Sequence, residues 1–202
     1  MVTAFIVFEG IDGSGKSTQA KSLLRRLRRR NIPALLTHEP GGTPLGEQLR
    51  RWLKGRPDLS PLSQLTLFIA ARAQLIEMVI KPSLASGVTV LSDRYTASTV
   101  AYQGHGSGMD LELINSLNLA ATGGLTPNLT ILFDLMPEES LVRRSDSGVD
   151  AFESEPWTFH RKVRESYLAQ AAANLNDWLV VDATQDKRAL SEIIWAKVKP
   201  LL

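Results

Sequence analysis

Short apolar runs alternate along the chain with longer stretches whose apolar residues recur every three or four positions, which predicts strands alternating with helices. Residues 3–8 (Thr-Ala-Phe-Ile-Val-Phe) have the near-continuous apolar look of a strand covered on both faces. Ala20, Leu23, Leu24 and Leu27 then recur at helical spacing with Lys and Arg opposite, and Asn31 and Pro33 close that helix. A second strand is expected over 32–38, a turn-rich loop over 39–46 and a helix over 47–54. From Ser60 to about Ser86 the pattern predicts one long helix with Leu62, Leu65, Ile69, Ile76 and Val79 on a single stripe. Further strands are expected at 88–92, 129–133 and 178–181, and helices at 110–121, 137–144, 156–174 and 187–198. The stretch after Asp93, holding Ser98, Thr99 and Gln103, reads as a loop. This order implies right-handed crossovers and a parallel sheet covered on both sides, in one domain spanning 1–202. The loops after the first three strands would then gather on one rim, where such sheets bind ligands.

The first strand runs into Gly10, Ile11, Asp12, Gly13, Ser14, Gly15, Lys16 and Ser17, two glycines separated by four residues and followed by Lys and Ser. Glycines let backbone N–H groups turn inward onto phosphate oxygens, and a helix starting there adds the positive end of its dipole. Lys16 would reach the β- and γ-phosphates of a nucleotide, and the Ser17 hydroxyl a Mg²⁺ ion. Such a site also needs an acidic group near the metal, commonly where an apolar strand ends. Asp93 and Asp134 both qualify. Asp134 precedes Pro137, Glu138 and Glu139 and can simply introduce the next helix. Asp93 is joined to Arg94, the more chemical pairing, and is favoured; a bare salt bridge between the two is the structural alternative.

Composition alters this picture little. At 202 residues, 44% hydrophobic and 22% charged, the chain suits one α/β domain with a full core. The absence of Cys excludes a disulfide framework and thiolate metal sites, and His38, His105 and His160 are too widely spaced to suggest a histidine zinc site. A net charge of +2 does not argue for nucleic acid. The run Arg25, Arg26, Arg28, Arg29 and Arg30 reads better as the solvated, dipole-complementing end of the first helix than as a polyanion patch. No apolar run approaches the ~18 residues of a membrane span, and no basic segment with a long apolar stretch opens the chain. A cytoplasmic protein with no membrane and no nucleic-acid partner is expected.

Phe8, Glu9, Gly10, Asp12, Gly15, Lys16, Ser17 and Thr18, then Glu39, Pro40, Gly41, Gly42 and Thr43, then Asp93, Arg94 and Tyr95 with Ala101, Tyr102, Gln103 and Gly104 together resemble the thymidylate kinases. The resemblance runs in register from the first strand to the last helix. It implies the P-loop nucleoside-monophosphate kinase fold, a five-stranded parallel sheet flanked by helices. It also implies phosphorylation of dTMP to dTDP by ATP with Mg²⁺, and usually a homodimer. Residues 10–17 would hold ATP, Lys16 and Arg94 would converge on the transferred phosphoryl, and Arg94 and Arg50 would contact the acceptor phosphate. Ser17 and Asp93 would order Mg²⁺ and its waters, with Glu39 shaping its loop and the metal's outer shell.

For the acceptor, Phe68 and Arg72 stand four apart on one helix face and match the family's thymine-contacting pair. Read alone, Phe68 fits the core better, although Arg72 on the buried side tells against that. Asp12 matches the contact to the sugar 3′-OH, and Tyr102 the ring that disfavours a ribose 2′-OH. Ser98, Thr99 and Gln103 would complete the base pocket, though each alone could be an ordinary helix or turn residue. Residues 182–185 match the segment lying against adenine.

The chain departs from the family at the expected lid, about 143–155. Relatives without an arginine in the glycine loop carry basic residues there, whereas residues 145–153 of this chain (Ser-Asp-Ser-Gly-Val-Asp-Ala-Phe-Glu) are acidic and polar. Either Arg143 or Arg144 substitutes or turnover is slower; bracing of the helix end is the structural alternative. Two rival functions remain. A kinase for another nucleotide or nucleoside would share the glycine loop and Asp93, and only Phe68, Arg72 and Tyr102 favour dTMP. A P-loop switch or nucleic-acid-binding protein is opposed by the lack of an Asn-Lys-x-Asp or Thr-Lys-x-Asp guanine-reading motif.

Overall fold

A computed structural model of the chain describes residues 3–54, 59–144 and 156–202. Strand β1 (Phe5–Glu9) is buried at all five positions, which is why its sequence is continuously apolar up to its last residue. Successive side chains alternate between faces. Phe5 and Val7 join Leu75, Ile76, Ile80, Val90 and Tyr95 on one side of the sheet. Ile6 and Phe8 join Leu23, Leu27, Phe133, Val163, Tyr167 and Ile194 on the other.

Strands β2 (Ala34–His38), β3 (Thr89–Asp93), β4 (Leu129–Asp134) and β5 (Trp178–Asp182) complete a parallel sheet in the order β2-β3-β1-β4-β5. Asp93 lies opposite both Phe8 and His38. The loops leaving β1, β2 and β3 therefore start side by side.

Helix α1 (Lys16–Arg28) follows the glycine loop and buries Ala20, Leu23 and Leu27; one such leucine is worth about 1.5–3 kcal/mol. Two of the arginines at its end, Arg26 and Arg30, pack on the helix Lys187–Val198. Both Arg26 Nη atoms lie 2.8 Å from the Glu192 carboxylate, and Arg26 and Arg30 each lie over the Trp195 ring. Helix α2 (Pro44–Lys54) leads to α3 (Pro61–Leu75), which opens with Ser60 accepting from the Ser63 N–H and Pro61 in the first turn.

Two expectations need correction here. The long helix is not uniform: α3 passes through a π turn at Ile76–Ile80 into the short α4 (Lys81–Ala85). Leu62 is 53% exposed, so the buried face begins at Leu65 and continues through Arg72, Leu75, Ile76 and Ile80. Taken whole, Pro61–Ala85 is long and apolar enough to cross a membrane, which the search for unbroken apolar runs overlooked. Its buried Arg72, ion-paired with Glu39, instead marks it as a helix that closes a polar site inside the fold.

The stretch after Asp93 is helical rather than a loop. Helix α5 (Thr96–Thr99) continues into a π turn at Val100–Gly106 that buries Ala101, Tyr102, Gln103 and Gly104. Small residues allow this close packing: a Cβ at Gly106 would lie 2.6 Å from the Phe159 ring. Helices α6 (Leu111–Thr122), α7 (Pro137–Arg144), α8 (Trp157–Ala173) and α9 (Lys187–Val198) follow. The expected lid beyond Arg144 lies outside the described residues.

Candidate active site

The glycine loop wraps the start of α1. Gly10 has φ +136°, and a Cβ there would lie 2.6 Å from the Phe133 carbonyl oxygen; Gly15, with φ +91°, caps the helix. Both positions suit only glycine. Lys16 is buried, its ammonium donating to the Ile11 carbonyl at 3.1 Å and lying 3.7 Å from Asp12. Burial, and then the charge of Arg94, lower its pKa. The Ser17 hydroxyl donates to the Asp93 carboxylate, so these two oxygen groups converge at the mouth of the loop. Among the described residues no cluster of three His, Asp or Glu could cage a metal. One hydroxyl and one carboxylate beside a phosphate site instead suit Mg²⁺, which keeps waters and phosphate oxygens as its other ligands. Asp134, the rival acid, is held by Arg164 through bonds of 2.6 and 2.8 Å.

Glu39 leaves β2 pointing inward and is buried against Arg72 of α3. Arg72 Nε donates to Glu39 Oε2 at 2.7 Å, Nη1 to Thr99 at 3.0 Å and Asn118 at 2.5 Å, and Nη2 to the Tyr95 carbonyl at 3.1 Å. Nη2 also lies 2.6 Å from the same Glu39 oxygen. One guanidinium thus ties the β2 loop to α5 and α6. Burial raises the Glu39 pKa, against the opposing pull of Arg72. Arg50 of α2 donates to the Pro40 carbonyl at 3.1 Å.

Arg94 has φ +78°, a conformation that costs a non-glycine residue on the order of 1–3 kcal/mol. Its side chain crosses to the glycine loop. Nη1 donates to the Gly10 carbonyl, Ser98 and Tyr167 at 3.1, 3.1 and 3.2 Å. Nη2 donates to Asp12 at 2.6 Å and to the Tyr102 hydroxyl at 3.3 Å. Burial works against the charge of Arg94, but Asp12 and its other anionic and phenolic neighbours outweigh it and hold the pKa well above the ordinary value.

These groups line two clefts. One, enclosing about 750 Å³ out to its open mouth, contains Phe68, Arg72, Ser98, Thr99, Tyr102 and Gln103. The other, about 700 Å³, contains Lys16, Ser17, Lys21, His38 and Asp93. Asp12, Glu39, Arg50 and Arg94 line both. Phe68 is only half-buried and faces the first cleft rather than disappearing into the core. Arg143 stands apart: its guanidinium donates to the Ala183 carbonyl at 3.0 Å, in the loop after β5, and lines neither cleft. The Arg144 side chain lies outside the description.

Sequence reasoning assigned no role to three residues that support this site, although Glu9 stood in the motif shared with the family. Glu9, wholly buried at the end of β1, accepts from Tyr95 N–H, Ser98 and Tyr167 at 2.8, 2.7 and 2.9 Å. An acid ending a buried strand is itself a signal, since it must find donors. Tyr167 follows Phe159 and Val163 at four-residue spacing on the buried face of α8. Asn118 shares the buried face of α6 with Ile114.

The family model described as thymidylate kinase matches residues 8–194. A thymidylate kinase of Dehalococcoides mccartyi is 44% identical over 203 residues, covering 100% of this chain and 98% of that protein. One of Deinococcus radiodurans is 44% identical over 196 residues, covering 96% and 95%. The crystal structure of thymidylate kinase from Ehrlichia chaffeensis superposes with a TM-score of 0.82 at 33% identity, covering 98% of this chain and 99% of that one.

Proposed function

The chain belongs to the thymidylate kinase family and transfers the γ-phosphoryl group of ATP to dTMP, and we infer that its two clefts divide between these nucleotides. The observation that carries this division is the set of four residues common to both, Asp12, Glu39, Arg50 and Arg94. Two nucleotides laid end to end would meet there phosphate to phosphate.

On the donor side, the glycine-loop amides and the dipole of α1 hold the ATP phosphates. Lys16 leaves the Ile11 carbonyl for the β- and γ-phosphates. Ser17 and Asp93 would hold Mg²⁺, which when bound would supply neutralisation of the charge on the phosphate oxygens. On the acceptor side, Arg94 and Arg50 fix the dTMP phosphate in line with the γ-phosphoryl, and Asp12 takes the sugar 3′-OH. Tyr102 closes the space beside C2′ of the sugar. Phe68 stacks on the pyrimidine. Every nitrogen of Arg72 is engaged within the protein, so it frames the base site, and Gln103 and Thr99 meet the base edge first. Arg143 supports the adenine-side loop.

We propose further that the protein acts in the cytoplasm, and that it does so as a homodimer because Leu62 on α3 and Leu119 on α6 are each more than half exposed on helices that pack together. Sedimentation at micromolar concentration tests this; a monomer would end it. For the reaction, ADP release is measured against a panel of nucleoside monophosphates, with Lys16→Ala as the blank. Release is expected with dTMP and far less with AMP or CMP, and equal rates with all acceptors would overturn the assignment of the base cleft.

A further inference from the structure

Glu9 touches neither cleft, yet it is a buried carboxylate on the central strand, and nothing in the reaction described so far uses it. We propose that Glu9 is the positioning residue for Arg94, acting through the hydroxyls of Ser98 and Tyr167 and through the backbone of Tyr95. This rests on the reading of Arg94 as the residue that binds the acceptor phosphate.

An ionised carboxylate only accepts hydrogen bonds, and a guanidinium only donates them. The Ser98 and Tyr167 hydroxyls lie between the two. Both are 2.7–2.9 Å from Glu9 Oε2 and 3.1–3.2 Å from Arg94 Nη1. The two oxygens also lie 2.8 Å apart, so one hydroxyl gives its proton to Glu9 and the other gives its own to Glu9 or to that neighbour; in either arrangement both turn lone pairs toward Arg94. Glu9 thereby sets the polarity of two acceptors at once. Together with the Gly10 carbonyl they hold Nη1 and leave Nη2 as the end directed at Asp12 and the shared part of the clefts. The other oxygen of Glu9 works on the backbone. Oε1 accepts from the Tyr95 N–H at 2.8 Å, immediately after the residue with φ +78°, and the Arg94 N–H donates to the Phe8 carbonyl at 3.0 Å. The strained Arg94 backbone is thus pinned on both sides by β1. Burial raises the Glu9 pKa, and the Arg94 charge with the Ser98, Tyr95 and Tyr167 donors pulls the other way.

The test is Glu9→Gln, which keeps shape and inverts polarity. Keeping the Tyr95 N–H satisfied puts the amide oxygen at that end and its NH₂ beside the two hydroxyls, where only one of their protons can go to the neighbouring hydroxyl and the other is turned toward Arg94, donor facing donor. The expected loss in kcat/KM for dTMP is about ten- to a hundredfold, the range of a hydrogen bond to a charged group, with KM for ATP unchanged. Ser98→Ala and Tyr167→Phe, each removing one relay, should give smaller losses of the same kind. Arg94→Ala is the control, and in that background Glu9→Gln should have no further effect. An unchanged kcat/KM for dTMP in Glu9→Gln, while Arg94→Ala is crippled, would overturn the proposal and leave the role of Arg94 standing. Full additivity of Glu9→Gln with Arg94→Ala, or an equal rise in both KM values with a fallen melting temperature, would reduce Glu9 to a structural residue. If Arg94→Ala keeps normal dTMP kinetics, the reading of Arg94 fails first, and this proposal with it.

Discussion

Arg72 Nε lies 2.7 Å from Glu39 Oε2, and both side chains are almost wholly buried. The pair joins the loop after β2 to α3 at the floor of the base cleft. Arg72→Met should therefore cost about 3–5 kcal/mol, because it strands a buried carboxylate. Adding Glu39→Gln should return a good part of that, since the remaining groups are neutral. Urea melts of the two single variants and the double variant measure the coupling. Strict additivity would mean that the ion pair contributes nothing specific to the fold.

Lys16 carries the opposite tension, a cation buried before any phosphate arrives. Its pKa is lowered by burial below the ordinary 10.5, so the folded chain releases this proton more readily than the unfolded one. Stability should then rise with pH through the window between the lowered value and 10.5. Below that window the charge is a standing cost. Lys16→Met, similar in length and apolar, should melt at or above the temperature of the parent at neutral pH, lose that part of the pH dependence, and release no ADP. A melting temperature well below the parent's would show that the ammonium is needed for folding rather than for phosphate.

How much of this was legible in the residues depends on whether local pattern or tertiary contact decides the outcome. The β1–glycine loop–α1 unit was readable because an apolar strand, the glycine spacing and the i, i+3, i+4, i+7 leucines all agree. The helical segment from Thr96 to Gly106 was not readable. Ala97, Ser98, Thr99, Gly104 and Gly106 are mostly poor helix formers without an apolar stripe, and packing on Phe159 and α8 makes them a helix. The face of α3 was misjudged at Leu62 because periodicity does not say where neighbouring elements stop. Phe68, Arg72, Thr99, Tyr102 and Gln103 could be brought to one cleft only by a family resemblance, since their contacts span three helical segments. Glu9, Tyr167 and Asn118 could have been flagged as polar groups on otherwise apolar faces, but their partners lie up to 158 positions away.

The two aspartates at strand ends differ in what surrounds them, and their variants should differ accordingly. Asp93 accepts from the Ser17 hydroxyl and faces the Lys16 charge in the phosphate cleft, whereas Asp134 is engaged by Arg164 through both oxygens. Asp93→Asn should abolish most turnover and weaken the dependence on Mg²⁺ while leaving the melting temperature nearly unchanged. Asp134→Asn should do the reverse, costing about 1–2 kcal/mol of stability for a partly exposed charged pair with kinetics near those of the parent. A Mg²⁺ titration of ADP release, beside thermal melts of both variants, separates the roles. Loss of Mg²⁺ dependence in Asp134→Asn rather than in Asp93→Asn would reverse the metal assignment.

Arg143 closes the question of charge at the transition state only if binding and chemistry are measured separately. Its guanidinium is committed to the Ala183 carbonyl, beside Asp182, whose carboxylate accepts from the Thr184 N–H and hydroxyl at 2.9 and 2.7 Å. Those bonds order the loop proposed to lie against adenine. A residue that acts only there supports ATP equally in the ground and transition states, so its removal raises KM for ATP and leaves kcat alone. A residue that reaches the transferred phosphoryl group lowers kcat, by ~10³-fold where an arginine carries most of the effect. Arg143→Ala is expected to raise KM for ATP several-fold, on the scale of one charge-assisted hydrogen bond that is partly open to solvent, with little change in kcat. Steady-state kinetics with ATP varied at saturating dTMP distinguish the two. A large fall in kcat at unchanged KM would mean that Arg143 leaves Ala183 during turnover and serves as the arginine that residues 145–153 do not supply.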